Sequence, residues 1–600
     1  MSSSAGVTGM YEDRVLHTHT TRSPAFLGLD PDLGAWKDTD LGDGVIIGFV
    51  DTGIWPESPS FNDNGLGPVR PSWKGKAFDA ATKAMVGCGV PSPRDRSGHG
   101  THVASTAAGS EVCNTGMLEF ARGTARGIAP KARIAMYKAY ELRSASIVAA
   151  IDAAVKDGVD ILSMSIGDPP PPLPFHSDAL AIAAFGAVRA GVLVVLSGGN
   201  EGPKESTVVN VAPWMTTVGA ATVDRLFPAN LILGDGTVVQ GQSLYAVKAN
   251  RTTMTPLVYS RCTSDKYLVP DKIKGKIVVC TVGTYRVQEV MNAGGSGLVY
   301  MDTTSQSRDG SRALPANISA LTLSHTARER LMAYMASSPY PKPDIIATGQ
   351  NIVAAWSGWD VPLEKKKHNY RFESGTSMAC PHVAGVAALI KKKHPSWTPA
   401  MIRSALMTTA ATLDNTDRDI VDDGVTDNSG ARIATPFAAG AGHVRPQLAL
   451  DPGLVYDAGP RDYVDFLCSL NYSKEELRRF APGMSSCPRV LPGVPAGLNY
   501  PSFVVIFDND TNVRTLTRTV TLVSGKAETY NVTYVAPKLV KVTVTPTTLE
   551  FKKPSERKSY TVEFRSLAEG NNTTTSDFGY ISWENKEHLV RSPVAFQWKT

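Results

Sequence analysis

Residues 374–382 read Ser-Gly-Thr-Ser-Met-Ala-Cys-Pro-His, and an apolar run follows at Val383–Ile390. This pattern predicts an exposed Ser377 at the start of a buried helix. Small neighbours let another polypeptide backbone approach the hydroxyl closely, and the positive end of the helix dipole favours negative charge that develops there. Alone, the segment could be an ordinary helix cap. If other segments supply suitable partners, Ser377 is a candidate nucleophile.

Two upstream segments supply the partners that a serine nucleophile needs. The apolar run Val45–Val50 ends in Asp51, which is the pattern of a buried parallel strand with a carboxylate at its carboxyl end. Residues 97–103 read Ser-Gly-His-Gly-Thr-His-Val and contain His99. A serine hydroxyl needs an imidazole to accept its proton, and the imidazole needs a carboxylate to fix its tautomer. Taken singly, the first segment could be a turn, and the second a metal-binding pair or a helix start.

A fourth segment supplies a donor for an oxyanion. The strand-like run Gly191–Leu196 is followed by Ser-Gly-Gly-Asn at 197–200, so the Asn200 amide can point at the oxygen of a tetrahedral intermediate. The three catalytic segments follow each other as aspartate, histidine and serine. This order differs from the His-Asp-Ser and Ser-Asp-His orders of other serine hydrolases. Together, the four segments predict a site for nucleophilic acyl transfer.

Strand-like and helical patterns alternate between residues 43 and 221. The strand-like runs are Val45–Val50, Arg133–Tyr140, Val159–Ile166, Val192–Leu196 and Met215–Ala220, and the helical ones are Ile147–Lys156 and Asp178–Ala190. Such alternation predicts a parallel sheet with helices on both faces, in which ligands bind beyond the carboxyl ends of strands. Asp51 and Asn200 both follow such ends, so we expect them in one cleft.

Two later regions break this alternation. Residues 230–340 contain a strand-like run at Ile273–Cys280 and a glycine-rich turn that leads into a second one, at Asn292–Val299. Beyond Asn499, β-branched and aromatic residues alternate with polar ones, which predicts a small antiparallel sandwich. Its expected strands are Val513–Leu522, Thr529–Val535, Val540–Val544, Ser559–Phe564 and Tyr580–Trp583.

Composition excludes several classes of function. Lys and Arg number 61 against 56 Asp and Glu, and a dispersed net charge of +5 does not indicate nucleic-acid binding. The lysine runs at 365–367 and 391–393 are interpreted as solvated faces rather than partner patches. No apolar stretch is long enough to span a membrane, and residues 1–9 lack the apolar core of a signal peptide. No acidic cluster has the spacing of calcium ligands, so we expect no metal and no cofactor.

Cysteines and glycosylation motifs favour the secretory route. The chain has seven cysteines, an odd number. Cys262 with Cys280, and Cys468 with Cys487, are close enough in sequence to form disulfides, although the sequence alone does not fix the pairing. Cys380 is interpreted as a buried free thiol rather than a nucleophile. Seven Asn-X-Ser/Thr motifs occur, at Asn250, Asn317, Asn471, Asn509, Asn531, Asn571 and Asn572.

Four longer strings carry a resemblance to a known family. They are residues 50–58 (Val-Asp-Thr-Gly-Ile-Trp-Pro-Glu-Ser), 92–95 with 98–102 (Ser-Pro-Arg-Asp and Gly-His-Gly-Thr-His), 342–347 (Lys-Pro-Asp-Ile-Ile-Ala) and 374–382. In these strings, and along nearly its whole length, the chain resembles the plant subtilisin-like serine proteases, or subtilases. The resemblance implies an extracellular serine endopeptidase, acting in the apoplast or cell wall, that hydrolyses proteins and peptides through an acyl-enzyme.

The resemblance also implies roles for individual residues. Ser377 attacks the peptide carbonyl, His99 moves the proton, and Asp51 orients His99. Asn200 and the Ser377 backbone amide hold the oxyanion. Ser165, Ile166 and Gly167 match the strand to which the substrate backbone adds by β-augmentation. We expect activity to fall as His99 becomes protonated, near its reference pKa of about 6.5 as modified by Asp51.

The fold class that follows is α/β: a subtilisin-like parallel sheet with helices on both faces, an inserted protease-associated domain, and a C-terminal β-sandwich similar to fibronectin type III domains. In the family, the inserted domain is linked to substrate access or to homodimerisation. The expected boundaries are a prodomain remnant and processing junction at 1–21, the first part of the catalytic domain at 22–229, the protease-associated domain at 230–340, the second part of the catalytic domain at 341–490, and the sandwich at 495–600.

The chain departs from the family pattern in ways that leave a second function open. Only the tail of a prodomain precedes the junction near residues 16–23, and a Phe-Ser-Ser-Arg-Gly-Pro segment usual in the family is absent between Tyr340 and Lys342. Ala77 and Thr348 stand where a cysteine and a proline are usual. The alternative is therefore a truncated, catalytically impaired glycoprotein that acts by binding.

Overall fold

A computed structural model describes most of the chain, including every segment that the sequence assigns to catalysis. The predicted prodomain remnant at 1–21 lies outside the described residues, as do Cys88 and the glycosylation motifs at Asn250, Asn317, Asn509, Asn571 and Asn572. The described residues are 22–75, 92–117, 120–202, 207–225, 227–232, 238–245, 255–260, 262, 268–280, 287–301, 319–323, 343–357, 369–427, 430–483, 487, 494–508, 511–568 and 576–598.

A six-stranded sheet in which all strands run parallel forms the centre of the molecule. In spatial order its strands are Ile345–Thr348, Thr216–Ala221, Leu193–Ser197, Ile161–Met164, Ile46–Asp51 and Arg133–Lys138. The sheet carries the predicted strands in the predicted α/β arrangement. Parallel strands need helical crossovers on the sheet faces, which accounts for the alternation seen in the sequence.

Alternate residues of each central strand enter two different cores. Leu193 and Val195 pack with the helices His99–Ala108 and Thr376–Lys393, whereas Val194 and Leu196 pack with Ser144–Asp157 and Ala179–Arg189. Side chains alternate between the two faces of a strand, so a strand covered on both faces must be apolar at every position. The continuous apolar runs of the sequence meet that requirement.

Further helices and ribbons surround the sheets. The further α-helices are Ser23–Phe26, Gly34–Asp38, Pro270–Ile273, Val287–Asn292, Pro399–Thr408, Pro436–Ala439, Pro446–Ala449, Pro460–Cys468 and Lys474–Arg478. Short 3₁₀ segments occur at Asp40–Gly42, Pro59–Phe61, Tyr140–Leu142, Phe175–Ser177 and Val494–Gly497. Two-stranded ribbons occur at Val112–Met117 with Phe120–Ala125, Ile352–Ala355 with Tyr370–Glu373, and Val421–Asp427 with Gly430–Ile433.

The region predicted as an inserted domain forms a sheet of its own. In spatial order its strands are Leu257–Ser260, Ile277–Cys280, Gly297–Met301, Ser319–Leu323, Val238–Gln242 and Pro228–Ile232. The first four are parallel and the last two join antiparallel. A disulfide joins Cys262 to Cys280 in this region, as predicted.

The C-terminal region is a two-sheet sandwich around one apolar core. One sheet holds Leu454–Tyr456, Val513–Leu522, Arg557–Ser566 and Val540–Thr545, and the other holds Phe503–Phe507, Leu589–Trp598, Ser576–Glu584, Glu528–Val535 and Thr548–Phe551. The predicted sandwich is therefore present, but it is not wholly antiparallel, because Phe503–Phe507 pairs parallel with Leu589–Trp598. Its first strand, Leu454–Tyr456, comes from the segment that the sequence assigns to the catalytic domain.

Several predicted strand ends were wrong by one to four residues. Arg133–Lys138 ends before Tyr140, where a 3₁₀ turn begins, and the run predicted as Val159–Ile166 forms a ladder only at Ile161–Met164. Apolar runs continue past the last paired residue because the loop beyond a strand end is also buried, as at Ile166. The second predicted disulfide, between Cys468 and Cys487, is present.

Candidate active site

The first central strand delivers a buried carboxylate to the end of the sheet. Asp51 is its last residue and is 1% exposed. Its Oδ1 lies 2.7 Å from His99 Nδ1 and also accepts a hydrogen bond from the Thr52 backbone N–H at 2.7 Å. Because a carboxylate can only accept, Nδ1 must carry the proton, which leaves Nε2 unprotonated in the neutral imidazole. This is the tautomer that a general base requires.

The neighbourhood of His99 favours its charged form. Burial lowers the pKa of His99, but the charge of the Asp51 carboxylate and its hydrogen bond outweigh burial and raise the pKa above the usual 6.5. Glu373 and Asp95 add to the increase. An imidazole that accepts a proton in a reaction becomes a cation, and these carboxylates stabilise that cation.

Ser377 stands at the start of the helix Thr376–Lys393, as predicted, but it is half-buried rather than exposed. Gly375 precedes this helix with φ 146°, a conformation that suits glycine. Ser377 Oγ donates to the Ser165 backbone oxygen at 3.3 Å, and Ser165 Oγ donates back to the Ser377 backbone oxygen at 2.8 Å. Within the described part of the chain no hydrogen bond joins Ser377 to His99, although both side chains line one cleft.

Asn200 contacts the helix that carries Ser377. Its Oδ1 accepts hydrogen bonds from the Thr376 backbone N–H at 2.8 Å and from Thr376 Oγ1 at 3.0 Å. A backbone N–H needs an acceptor, so these contacts identify the oxygen of the amide and fix its orientation. Asn200 also lines the cleft, and no partner for its Nδ2 occurs among the described residues.

A cleft of about 590 Å³ brings the predicted residues together. Its lining includes the predicted residues His99, Ser165, Ile166, Gly167, Asn200 and Ser377, with Asp51 buried behind His99. The buried Asn210 side chain supports two residues of this lining by donating to the backbone oxygens of Ile166 at 2.9 Å and Ser197 at 2.8 Å. Asn210 thereby joins the ends of two neighbouring strands.

Four residues at this site were not singled out from the sequence. Asn210, Glu201 and Asp168 lie at or in the cleft, and Asp95 is fully buried beside the His99 helix. Asp95 lies four residues before His99, inside one of the strings that carry the family resemblance. Its place in that string was the only sequence signal that Asp95 belongs to the site. Asn210 lies in no motif, and its role depends on strands that are distant from each other in sequence.

Other reactive side chains near the site are buried. His102 Nε2 donates to the backbone oxygens of Ile352 and Arg371, and burial lowers the His102 pKa to about 3. These two contacts tie the His99 helix to the ribbon Ile352–Ala355 with Tyr370–Glu373. Cys380 is a free, fully buried thiol, as predicted, and burial raises its pKa to about 12.

The described residues bring together one group with the chemistry of metal ligands, and it lies outside the cleft. Its members are Glu528, Glu587 and His588 in the sandwich. Lys526 Nζ contacts both oxygens of Glu587 at 2.7 Å, and His588 itself pairs with Glu528 and with Asp451. Cationic side chains therefore already balance these carboxylates, and the group does not argue for a metal.

Comparison with known proteins gives consistent matches along the chain. The model of the "Subtilase family" matches residues 42–442, and that of the "Fibronectin type-III domain" matches residues 497–596. Among curated Arabidopsis thaliana proteins, "Subtilisin-like protease SBT1.4" is 38% identical over 680 residues, covering 99% of this chain and 86% of the relative. "Subtilisin-like protease SBT1.6" is 38% identical over 679 residues, covering 98% and 88%. "Subtilisin-like protease SBT3" of Solanum lycopersicum is 36% identical over 671 residues, covering 98% and 86%.

Proposed function

The chain belongs to the subtilase family of proteases, and we propose that it is a secreted serine endopeptidase that cleaves proteins and peptides through an acyl-enzyme. One observation carries this proposal above the others. His99 Nδ1 lies 2.7 Å from Asp51 Oδ1, in a cleft that Ser377 also lines at a helix N-terminus. A scaffold without activity has no need of a buried carboxylate that fixes the tautomer of an imidazole beside a serine.

The proposed reaction begins with proton transfer. His99 Nε2 accepts the Ser377 hydroxyl proton while Ser377 Oγ attacks the scissile carbonyl carbon, and Asp51 stabilises the resulting imidazolium. His99 then donates the proton to the departing amine, which leaves the acyl group on Ser377. A water molecule, activated by His99, hydrolyses the ester and regenerates the hydroxyl.

The negative charge of the tetrahedral intermediate needs fixed donors. We assign that role to Asn200 Nδ2 and the Ser377 backbone N–H. Thr376 holds the other end of the Asn200 amide through two hydrogen bonds, so the donor is oriented before substrate arrives. Donors that need no reorganisation stabilise a transition state more than donors free to rotate.

An extended substrate is proposed to pair with residues 165–167. These residues follow the strand Ile161–Met164, and Gly167 is exposed in the cleft. Asn210 holds the Ile166 carbonyl in place from behind. A fixed backbone segment that lines a cleft can accept a peptide strand by β-augmentation, with affinity coming from main-chain hydrogen bonds.

Secretion agrees with the covalent structure of the chain. The disulfides Cys262–Cys280 and Cys468–Cys487 are typical of proteins that fold in an oxidising compartment. The glycosylation motifs at Asn471 and Asn531 have exposed asparagines, which is compatible with attached glycans. No helix within the described ranges has the length and apolar character needed to cross a membrane.

The sheet between Pro228 and Leu323 is proposed to be a protease-associated domain that affects substrate access or self-association. It is a separate sheet with its own apolar core, which supports its assignment as an independent unit. Light scattering of the whole chain over a range of concentrations tests self-association. A mass of one chain at every concentration would contradict it.

Covalent labelling tests the proposed activity directly. The full chain would be secreted together with a prodomain from a relative and treated with a fluorophosphonate probe, beside Ser377→Ala and Ser473→Ala. Ser473 caps the helix Lys474–Arg478 on the surface and serves as a matched serine control. We expect the native chain and Ser473→Ala to be labelled and Ser377→Ala not to be labelled.

The same experiment separates the enzyme from the binding protein. If the native chain unfolds cooperatively on heating but is not labelled, the proposed catalytic role is wrong and a binding role becomes the better interpretation. Labelling that persists in Ser377→Ala would assign the nucleophile to another residue.

A further inference from the structure

Asp95 is a buried charge at the N-terminus of the helix His99–Ala108 and is 0% exposed. A buried carboxylate costs free energy unless donors surround it. Its Oδ1 accepts from the backbone N–H groups of Ser97 at 2.9 Å and Gly98 at 2.8 Å. Its Oδ2 accepts from Thr101, through the backbone N–H at 2.9 Å and the hydroxyl at 2.6 Å. Asp95 therefore binds the first turn of the helix that begins with His99.

A fifth donor connects Asp95 to the catalytic strand. Thr52 Oγ1 donates to Asp95 Oδ1 at 3.0 Å and accepts from the Gly100 backbone N–H at 2.9 Å. Thr52 directly follows Asp51, and its own backbone N–H donates to Asp51 Oδ1. One hydroxyl group thus contacts both the helix that carries His99 and the carboxylate that anchors this helix.

We propose that Thr52 and Asp95 act together as positioning residues that hold the His99 imidazole against Asp51, an inference that rests on the proposed serine-protease function. Neither side chain contacts the reacting atoms. They act by fixing the helix N-terminus relative to the end of the strand Ile46–Asp51, so the distance between His99 Nδ1 and Asp51 Oδ1 stays at 2.7 Å.

Close packing makes this position sensitive. Gly100 sits so near the Gly53 backbone oxygen and Asp51 Oδ1 that a Cβ atom there would collide with the strand end. The helix can therefore shift only by moving away from the strand, and the Thr52 hydroxyl and the His99–Asp51 bond both oppose that movement. A displacement of about 1 Å at a catalytic group can cost about 100-fold in rate.

The test compares Thr52→Val with Thr52→Ser in the full chain. Valine has nearly the shape of threonine but lacks the hydroxyl, whereas serine keeps the hydroxyl. For Thr52→Val we expect kcat to fall about 10- to 100-fold with KM changed less than about threefold, because the lost contact positions a catalytic group and no substrate group. Thr52→Ser is expected to retain kcat within about threefold of the native chain.

The pH dependence of kcat/KM separates positioning from a purely structural role of Thr52, because a structural role would leave the His99 pKa unchanged. The Asp51 carboxylate holds the His99 pKa up, so loosening this contact in Thr52→Val moves the acid limb of kcat/KM to lower pH. Asp95→Asn is expected to shift the limb in the same direction for two reasons: the charge of Asp95 itself raises the His99 pKa, and the amide group turned toward Thr101 cannot accept both of its hydrogen bonds. Thr52→Val, which removes no charge, is therefore the variant that tests positioning. Unchanged kcat and an unmoved acid limb in Thr52→Val, with only a lower unfolding temperature, would overturn the proposal.

A second measurement does not depend on turnover. Proton NMR would follow the proton on His99 Nδ1 at low field, and its titration would give the His99 pKa in each variant. A lower pKa in Thr52→Val than in Thr52→Ser supports positioning, and equal values refute it. If the proposed protease function is wrong, the native chain fails to cleave peptides, but this titration still reports on the geometry around His99.

Discussion

Replacing Asp51 with asparagine separates two contributions of the carboxylate, its charge and its orientation of the imidazole. In this chain the same oxygen, Oδ1, accepts from His99 Nδ1 and from the Thr52 backbone N–H. The second contact requires an acceptor, so it selects the amide oxygen of the introduced asparagine for this position and turns the amide nitrogen to the side of Oδ2. The tautomer of His99 is therefore expected to survive, and only the charge is lost.

The magnitude follows from the interaction between the carboxylate and the imidazolium. Two unit charges about 4 Å apart interact by about 4 kcal/mol at an effective dielectric constant of about 20. Because the imidazolium exists only after proton transfer, that stabilisation acts on the transition state, and its loss corresponds to about 1000-fold in kcat. The carboxylate also raises the His99 pKa, so Asp51→Asn is expected to move the acid limb of the rate to lower pH.

Both effects can be measured with a quenched fluorescent peptide between about pH 4 and pH 10, a range that spans the titration of an imidazole. Asp465→Asn is the matched control, since Asp465 is a buried aspartate in the helix Pro460–Cys468 that does not line the cleft. We expect this control to retain kcat. A loss of less than about tenfold in Asp51→Asn, or an acid limb that stays in place, would refute the electrostatic reasoning.

Three further predictions concern other parts of the chain. Asn200→Ala is expected to reduce kcat by about 100- to 1000-fold with little change in KM, the range found when such a donor is removed from subtilisin itself. An effect mainly on KM would argue against an oxyanion role. His588 pairs with Asp451 and Glu528, and the Asp451 hydrogen bond raises its pKa despite partial burial. Protonated His588 therefore stabilises the fold at low pH, and this contribution is lost as pH rises through the pKa of His588 in the folded chain. We expect His588→Gln to lower the unfolding temperature by roughly 2 to 4 °C at about pH 5.5 and by less at about pH 9. Cys380 should resist alkylation in the folded chain under mildly alkaline conditions and react after unfolding, as read by mass spectrometry, because its buried thiol has a pKa of about 12.

The sequence predicted the central fold because the signal for each element is local. A strand buried on both faces must be apolar throughout, so Val192–Leu196 indicated a central strand without knowledge of its neighbours. Strand ends were harder, since hydrogen bonding to a neighbour decides them and apolar character does not. The sandwich strand Leu454–Tyr456 has only three residues and lies far from its partner Val513–Leu522 in sequence, so no local pattern could assign it to that sheet.

The candidate site was predictable to the extent that its residues lie in motifs. His99, Asn200 and Ser377 line one cleft, with Asp51 behind His99, because their segments meet at the same end of the sheet. The supporting contacts depend on atoms that meet only in the folded chain. The Thr52 hydroxyl could have hydrogen-bonded to many groups, and nothing in its neighbours indicated that it joins the strand to the His99 helix.

The Ser377–Ser165 contact bears on the proposed role of Ser377, which has no hydrogen bond to His99 among the described residues. Ser377 Oγ donates to the Ser165 carbonyl at 3.3 Å. That distance is long compared with the usual value of about 2.7 to 2.8 Å for such a bond. A weak bond costs little to break, so we expect the Ser377 hydroxyl to leave the Ser165 carbonyl easily. Ser165 belongs to the segment expected to pair with the substrate backbone. A substrate N–H that bonds to its carbonyl would compete with Ser377 for the same acceptor, so substrate binding itself would favour release of the hydroxyl to His99.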